Sequence, residues 1–98
     1  MTREKLDRPA AEAALAGLDG WTLAQDAASI GRTFTFRNFS EAFAFMTRVA
    51  MAAEKMDHHP EWSNVYKTVD VTLTTHDVGG VTALDIELAK KMNRFAGG

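Results

Sequence analysis

Three histidines are present in this chain of 98 residues, and all of them lie between positions 58 and 76. His58 and His59 are adjacent, and His76 closes a stretch ending Thr74-Thr75. Imidazole has an unperturbed pKa of about 6.5, so it can give and take protons near neutral pH. Three chemistries compete for such a cluster. Two imidazoles, one neutral and one protonated, can remove one proton and deliver another within a turnover. Each positioned acid or base contributes about 10²–10⁴ in rate. Three histidines can also ligate a catalytic zinc. Adjacent residues in extended chain point to opposite sides, however, and a His-x-x-x-His spacing is absent, so tetrahedral closure is disfavoured. In the third reading the rings are surface or capping groups. That reading loses ground because the chain's whole supply flanks one turn and the Gly79-Gly80 pair.

Three neighbours carry two readings each, and a fourth carries one. Thr82-x-x-Asp85 has the form of a capping box, in which the acid bonds back to the cap residue's amide. Asp85 could equally orient or charge a histidine, and two carboxylate oxygens allow both. Glu54, four residues before His58, is either a solvated charge or a carboxylate at a pocket wall. Trp62 is either core or an aromatic wall against a flat substrate. Pro60 is read as backbone control alone.

The elements around these residues can be outlined from pattern. Asp7 caps a first helix with Pro9 in its first turn, and Gly17 stops it. Gly20 introduces a strand from Trp21 to about Gln25. Ile30, Arg32, Phe34 and Phe36 then alternate with Gly31, Thr33, Thr35 and Arg37 in a second strand. Ser40 is the expected cap of a second helix, with Phe39, Phe43, Met46, Val49, Ala50 and Ala53 along one stripe. Phe45 and Met51 fall off that stripe, and the surplus apolar surface suggests a subunit interface. Pro60 ends the helix, because the residue before a proline avoids the α region. Residues 64–75 alternate without a Gly or Pro and read by pattern as one long strand, with a kink near Lys67 as the alternative. Thr82 caps a third helix carrying Leu84, Leu88, Met92 and Phe95. Hairpin strands covered by amphipathic helices make an α+β sandwich of two layers.

Bulk properties bound the rest. The length suits a single domain, residues 1–98, with one core, and 46% apolar content suits a folded chain. The net charge is −2, with scattered Lys and Arg, so no nucleic-acid partner is expected. No cysteine is present, which removes disulfides, thiolate catalysis and Cys-ligated zinc. No apolar run reaches membrane length, and the polar start lacks a signal core. A cytoplasmic location is therefore expected.

Glu54-Lys-Met-Asp-His-His-Pro-Glu-Trp-Ser-Asn-Val-Tyr66, followed by Thr75-His76-Asp77, Gly80, Thr82 and Asp85, resembles the pterin-4a-carbinolamine dehydratase family. Gly20-Trp21 and Arg32-x-Phe34-x-Phe36 are similar to it as well, and the likeness runs from about Leu15 to Ala89. The resemblance implies a four-stranded antiparallel sheet with three helices on one face, so the 64–75 region should divide in two. It implies dehydration of 4a-hydroxytetrahydropterin to quinonoid dihydropterin, which recycles the pterin of aromatic amino acid hydroxylases, with no metal and no organic cofactor. By position, His58, His59, His76 and Asp85 are the catalytic candidates, and Glu54, Trp62 and Thr75 the substrate-binding ones. His59 and His76 are the expected proton-transfer pair. The resemblance also implies a homodimer or homotetramer, a hydroxylase as pathway partner, and, as the alternative function, a non-catalytic dimerisation module for a partner protein.

Overall fold

The computed structural model describes residues 3–97. The first helix, α1, covers Arg8–Leu15, and Asp7 caps it by accepting the Ala10 N–H at 2.9 Å. Trp21 is buried and donates its indole N–H to Asn93 at 2.8 Å. The first strand, β1, is only Thr22–Leu23. It is shorter than the expected 21–25 because the backbone turns at once: Ala24 donates to Ser29, and Ala27 donates back to Ala24 with φ 60°. Strand β2, Ile30–Thr35, buries Ile30 and Phe34. Arg32 lies on the same side, with its guanidinium 4.3 Å from the Phe34 ring.

The second helix, α2, spans Phe39–Met56. Its cap is Asn38, not Ser40: the Asn38 side chain accepts the Glu41 N–H at 2.9 Å. Asparagine caps as well as serine does, and Glu41 adds a bond back to the Arg37 N–H at 3.0 Å. The inward stripe also differs from the expected one. Ala42, Phe45, Val49 and Ala53 are buried, whereas Phe43, Ala50 and Met51 are exposed. Phe45 wins the core position because its ring packs on Phe34 and Phe36, at 4.7 and 4.9 Å between centroids. Two overlapping apolar stripes share this helix, and spacing alone does not say which faces the sheet.

The 64–75 region is a hairpin, not one strand. Strand β3 is Glu61–Val65 and β4 is Thr68–Leu73, paired antiparallel from Val65↔Thr68 to Glu61↔Thr72. The turn is Tyr66-Lys67, with Tyr66 at φ 51°. A bulky side chain rarely takes that conformation. The Asn64 amide holds it there by donating to both the Tyr66 and Thr68 carbonyls. The last helix, α3, covers Ala83–Gly97. Sheet order is β1-β2-β4-β3, antiparallel throughout. Val69, Val71 and Leu73 of β4 are buried against α2 and α3, while Asp70 and Thr72 point to the open face. The architecture is therefore α+β in two layers, with four strands and three helices, as the family resemblance implied. Among the described residues no helix is long and apolar enough to cross a membrane.

Candidate active site

Helix α2 ends in a Schellman motif. Asp57 adopts the left-handed conformation at φ 53°, its N–H returns to Glu54, and the His58 N–H returns to Ala53 at 3.0 Å. Aspartate and asparagine enter this region at less cost than most residues. The reversal sends His58 inward, beneath the helix end, and His59 outward. The two neighbours thus diverge, as adjacent residues in extended chain should.

His58 is buried and places Nε2 2.6 Å from Asp85 Oδ1. Asp85 is itself fully buried, in the first turn of α3. Its other oxygen, Oδ2, accepts the Thr82 N–H at 2.9 Å and the Thr75 hydroxyl at 2.9 Å. Thr82 Oγ1 accepts the Leu84 N–H and lies 2.8 Å from Thr75 Oγ1. Because the Thr75 proton goes to Asp85, the Thr82 hydroxyl donates to Thr75. Asp85 accepts at every contact, so His58 donates Nε2–H to it, and Nδ1 is left outside the pair. The capping and histidine-orienting readings of Asp85 both hold, one on each oxygen. Among the described residues no buried side-chain nitrogen or oxygen lacks a partner.

The other two histidines are exposed. His59 Nε2 lies 2.8 Å from Glu54 Oε1, one helical turn back on α2. His76 opens a single 3₁₀ turn, His76–Val78, directly after β4, and its Nε2 lies 2.7 Å from Glu61 Oε2 at the start of β3. The backbone beneath His76 is pinned by the Thr75–Gly80 bridge, through Thr75 N–H to Gly80 O at 2.8 Å.

All three rings line one cleft of about 250 Å³, together with Thr75 and, at the rim, Arg3, Asp57, Thr74 and Asp77. Arg3 and Asp77 face each other across 3.6 Å. Three sequence candidates lie outside this lining. Asp85 is buried behind His58 and meets the cleft only through that ring. Glu54 reaches the cleft only through His59 and itself borders a broad, open depression of about 710 Å³ along α2. Trp62 is half-buried and packs on the core side of the sheet, paired with Val71. Sequence reasoning missed Glu61. It becomes visible once residues 61–73 are folded about Tyr66-Lys67, which carries it across to Thr72, four residues before His76. Asp57 was also missed as the residue that aims His58. Among the described residues no group of three or more histidine or acidic side chains is placed to hold a metal; each imidazole is instead paired with its own carboxylate.

The chain is similar to known proteins along nearly its whole length. The family model described as "Pterin 4 alpha carbinolamine dehydratase" matches residues 4–95. A protein of Mesorhizobium japonicum named "Putative pterin-4-alpha-carbinolamine dehydratase" is 78% identical over 98 residues, covering 100% of both chains. One of the same name from a Chelativorans species is 65% identical, covering 98% of each. A crystal structure of a transcriptional coactivator/pterin dehydratase from Brucella melitensis superposes with TM-score 0.93 at 51% identity. That match covers 96% of this chain and 100% of the other. A pterin dehydratase-like protein described as a RuBisCO assembly factor of the alpha-carboxysome shares the fold, with TM-score 0.69 at 19% identity, covering 81% of this chain and 92% of the other.

Proposed function

The chain belongs to the pterin 4 alpha carbinolamine dehydratase family, and from that membership we propose that it dehydrates a 4a-hydroxytetrahydropterin. In this reaction a base removes the N5 proton, the freed pair forms the C4a=N5 bond, and the C4a–oxygen bond breaks. A second group protonates the departing hydroxyl, so quinonoid dihydropterin and water leave. The step balances with proton transfers alone and calls for no metal or organic cofactor. We assign the two transfers to His59 and His76, which stand on separate backbone segments with rings open to the cleft. His58, held by Asp85, binds the pterin or shares a transfer through Nδ1. Thr75 shapes the floor of the cleft, Glu54 acts through His59, and Trp62 supports β3 from the core side. The physiological setting we assign is recycling of the hydroxylase pterin in the cytoplasm.

The observation that carries this reading is the convergence of three imidazoles, one buried and two exposed, on one cleft. Turnover of synthetic carbinolamine, followed by ultraviolet absorbance, tests it. Wild type should accelerate dehydration, and His76→Ala should lose about 10²–10⁴ of that rate. Near-native turnover in His76→Ala would remove the assignment.

A second reading, a partner-binding module, has one observation in its favour. Phe39, Phe43 and Met51 are exposed along α2, and contiguous apolar surface of this kind marks contact sites. We assign that face first to self-association, as a homodimer or homotetramer. Light scattering should give a mass of two or four chains; a mass of one chain would sink the assignment.

A further inference from the structure

We propose that Glu61 is the positioning residue of His76, fixing which ring nitrogen carries the proton. The inference rests on the reading of His76 as a proton-transfer group, and it adds a residue which that reading does not contain. His76 differs from His58 in one respect that matters. Its backbone is pinned by the Thr75–Gly80 bridge, but its side chain is 79% exposed. An exposed imidazole samples several rotamers and both neutral tautomers unless something holds it. Its ring meets Glu61 Oε2, at 2.7 Å from Nε2. Asp77, the neighbouring carboxylate, is drawn away to Arg3.

A carboxylate accepts, so Glu61 keeps the proton on Nε2 and leaves the lone pair on Nδ1. That choice determines which ring atom can take a proton from a guest in the cleft. The arrangement of Glu61 favours this role. It is the first residue of β3, directly after Pro60, and its strand partner is Thr72. The hairpin register therefore sets the height of the carboxylate relative to the end of β4, where His76 begins. The same chemistry recurs at the other two histidines, with Asp85 on His58 and Glu54 on His59. Glu61 completes a set in which every imidazole is oriented by its own acid. Its contribution is to orientation, since an exposed pair adds little to folding.

The test uses the whole protein labelled with 15N-histidine, comparing wild type, Glu61→Ala and Glu61→Gln, with Ser63→Ala on the same sheet face as a control. Ring 15N shifts report the tautomer with no substrate present, and turnover is measured in parallel. In wild type the neutral His76 ring should be the Nε2–H form. Glu61→Ala should give a mixture of tautomers and lower kcat by about 10–100-fold, as when carboxylates that orient ligand histidines are removed, with melting unchanged. Glu61→Gln keeps an acceptor oxygen and should restore the tautomer and most of the rate. Ser63→Ala should move neither. An unchanged His76 tautomer in Glu61→Ala overturns the proposal whatever the turnover shows. A wild-type protein without dehydratase activity, but with a tautomer that shifts in Glu61→Ala, overturns the enzyme reading and leaves the positioning role standing.

Discussion

His58 and His76 each lie within hydrogen-bond distance of a carboxylate, at 2.6 and 2.7 Å, yet the two pairs live in different surroundings. Side-chain exposure is 6% and 0% for His58 and Asp85, against 79% and 54% for His76 and Glu61. In the buried pair the carboxylate cannot turn to water, so every oxygen must be met by protein donors. Three donors meet it, from His58, Thr75 and Thr82. They join the end of α2, the end of β4 and the start of α3. In the exposed pair water competes for both partners, and the pair is worth at most about 1 kcal/mol. The same residue types thus do two jobs. One pair ties three elements together and presents a fixed imidazole; the other, with His59–Glu54, leaves its rings open to solvent, and to these rings we assign the proton transfers.

The two pairs should differ most when Asp85 is removed. Removing its side chain orphans three buried donors, each costing about 1–3 kcal/mol when left unsatisfied. Asp85→Ala should therefore lose about 3–5 kcal/mol of stability. For a domain of this size that is at least about 12 °C in Tm, readable by calorimetry. A melting point near wild type would show that the buried network is not structural.

A smaller perturbation sharpens the same point. Thr75→Val keeps the shape and removes one hydroxyl, leaving Asp85 Oδ2 with the Thr82 N–H and the Thr82 hydroxyl without its acceptor. The expected cost is about 1 kcal/mol, or roughly 4–8 °C in Tm. A loss as large as that of Asp85→Ala would mean that the three donors act as one unit rather than separately.

Much of this contrast was legible in the residues before any coordinates. Pro60 placed the end of the second helix, Thr82-x-x-Asp85 announced a cap, and the alternation in 30–36 marked a strand. The resemblance supplied the fourth strand, which pattern alone held only as the alternative of a kink near Lys67. That turn was hidden for a physical reason: Tyr66 is a poor residue for φ 51°, and the compensation comes from the Asn64 side chain. Phe45 was misplaced because α2 is apolar on two faces, and only packing on Phe34 and Phe36 chooses between them. Glu61 was invisible because its partner is fifteen residues away and meets it only through the hairpin register. Local signals are written in short spacings; the exposed half of the site depends on long-range register and is not.

The smallest expected effect is the most discriminating. In the His76→Ala protein whose turnover should fall by orders of magnitude, folding stability should change by no more than about 0.5 kcal/mol, the usual range for surface substitutions. His59→Ala should behave alike, since its partner Glu54 is 81% exposed and rehydrates when the ring is gone. Solvent is the reason. Deleting an exposed imidazole leaves no buried polar atom unmatched, and the lost ion pair was already discounted by water. Chemistry does not share that discount, because a proton acceptor at the cleft has no substitute in bulk water of the same geometry. Activity and stability should therefore separate at His59 and His76 and fall together at Asp85. If His76→Ala melted several degrees below wild type, its ring would be part of the structural frame, and the division between a fixed and an exchangeable half of the site would be lost.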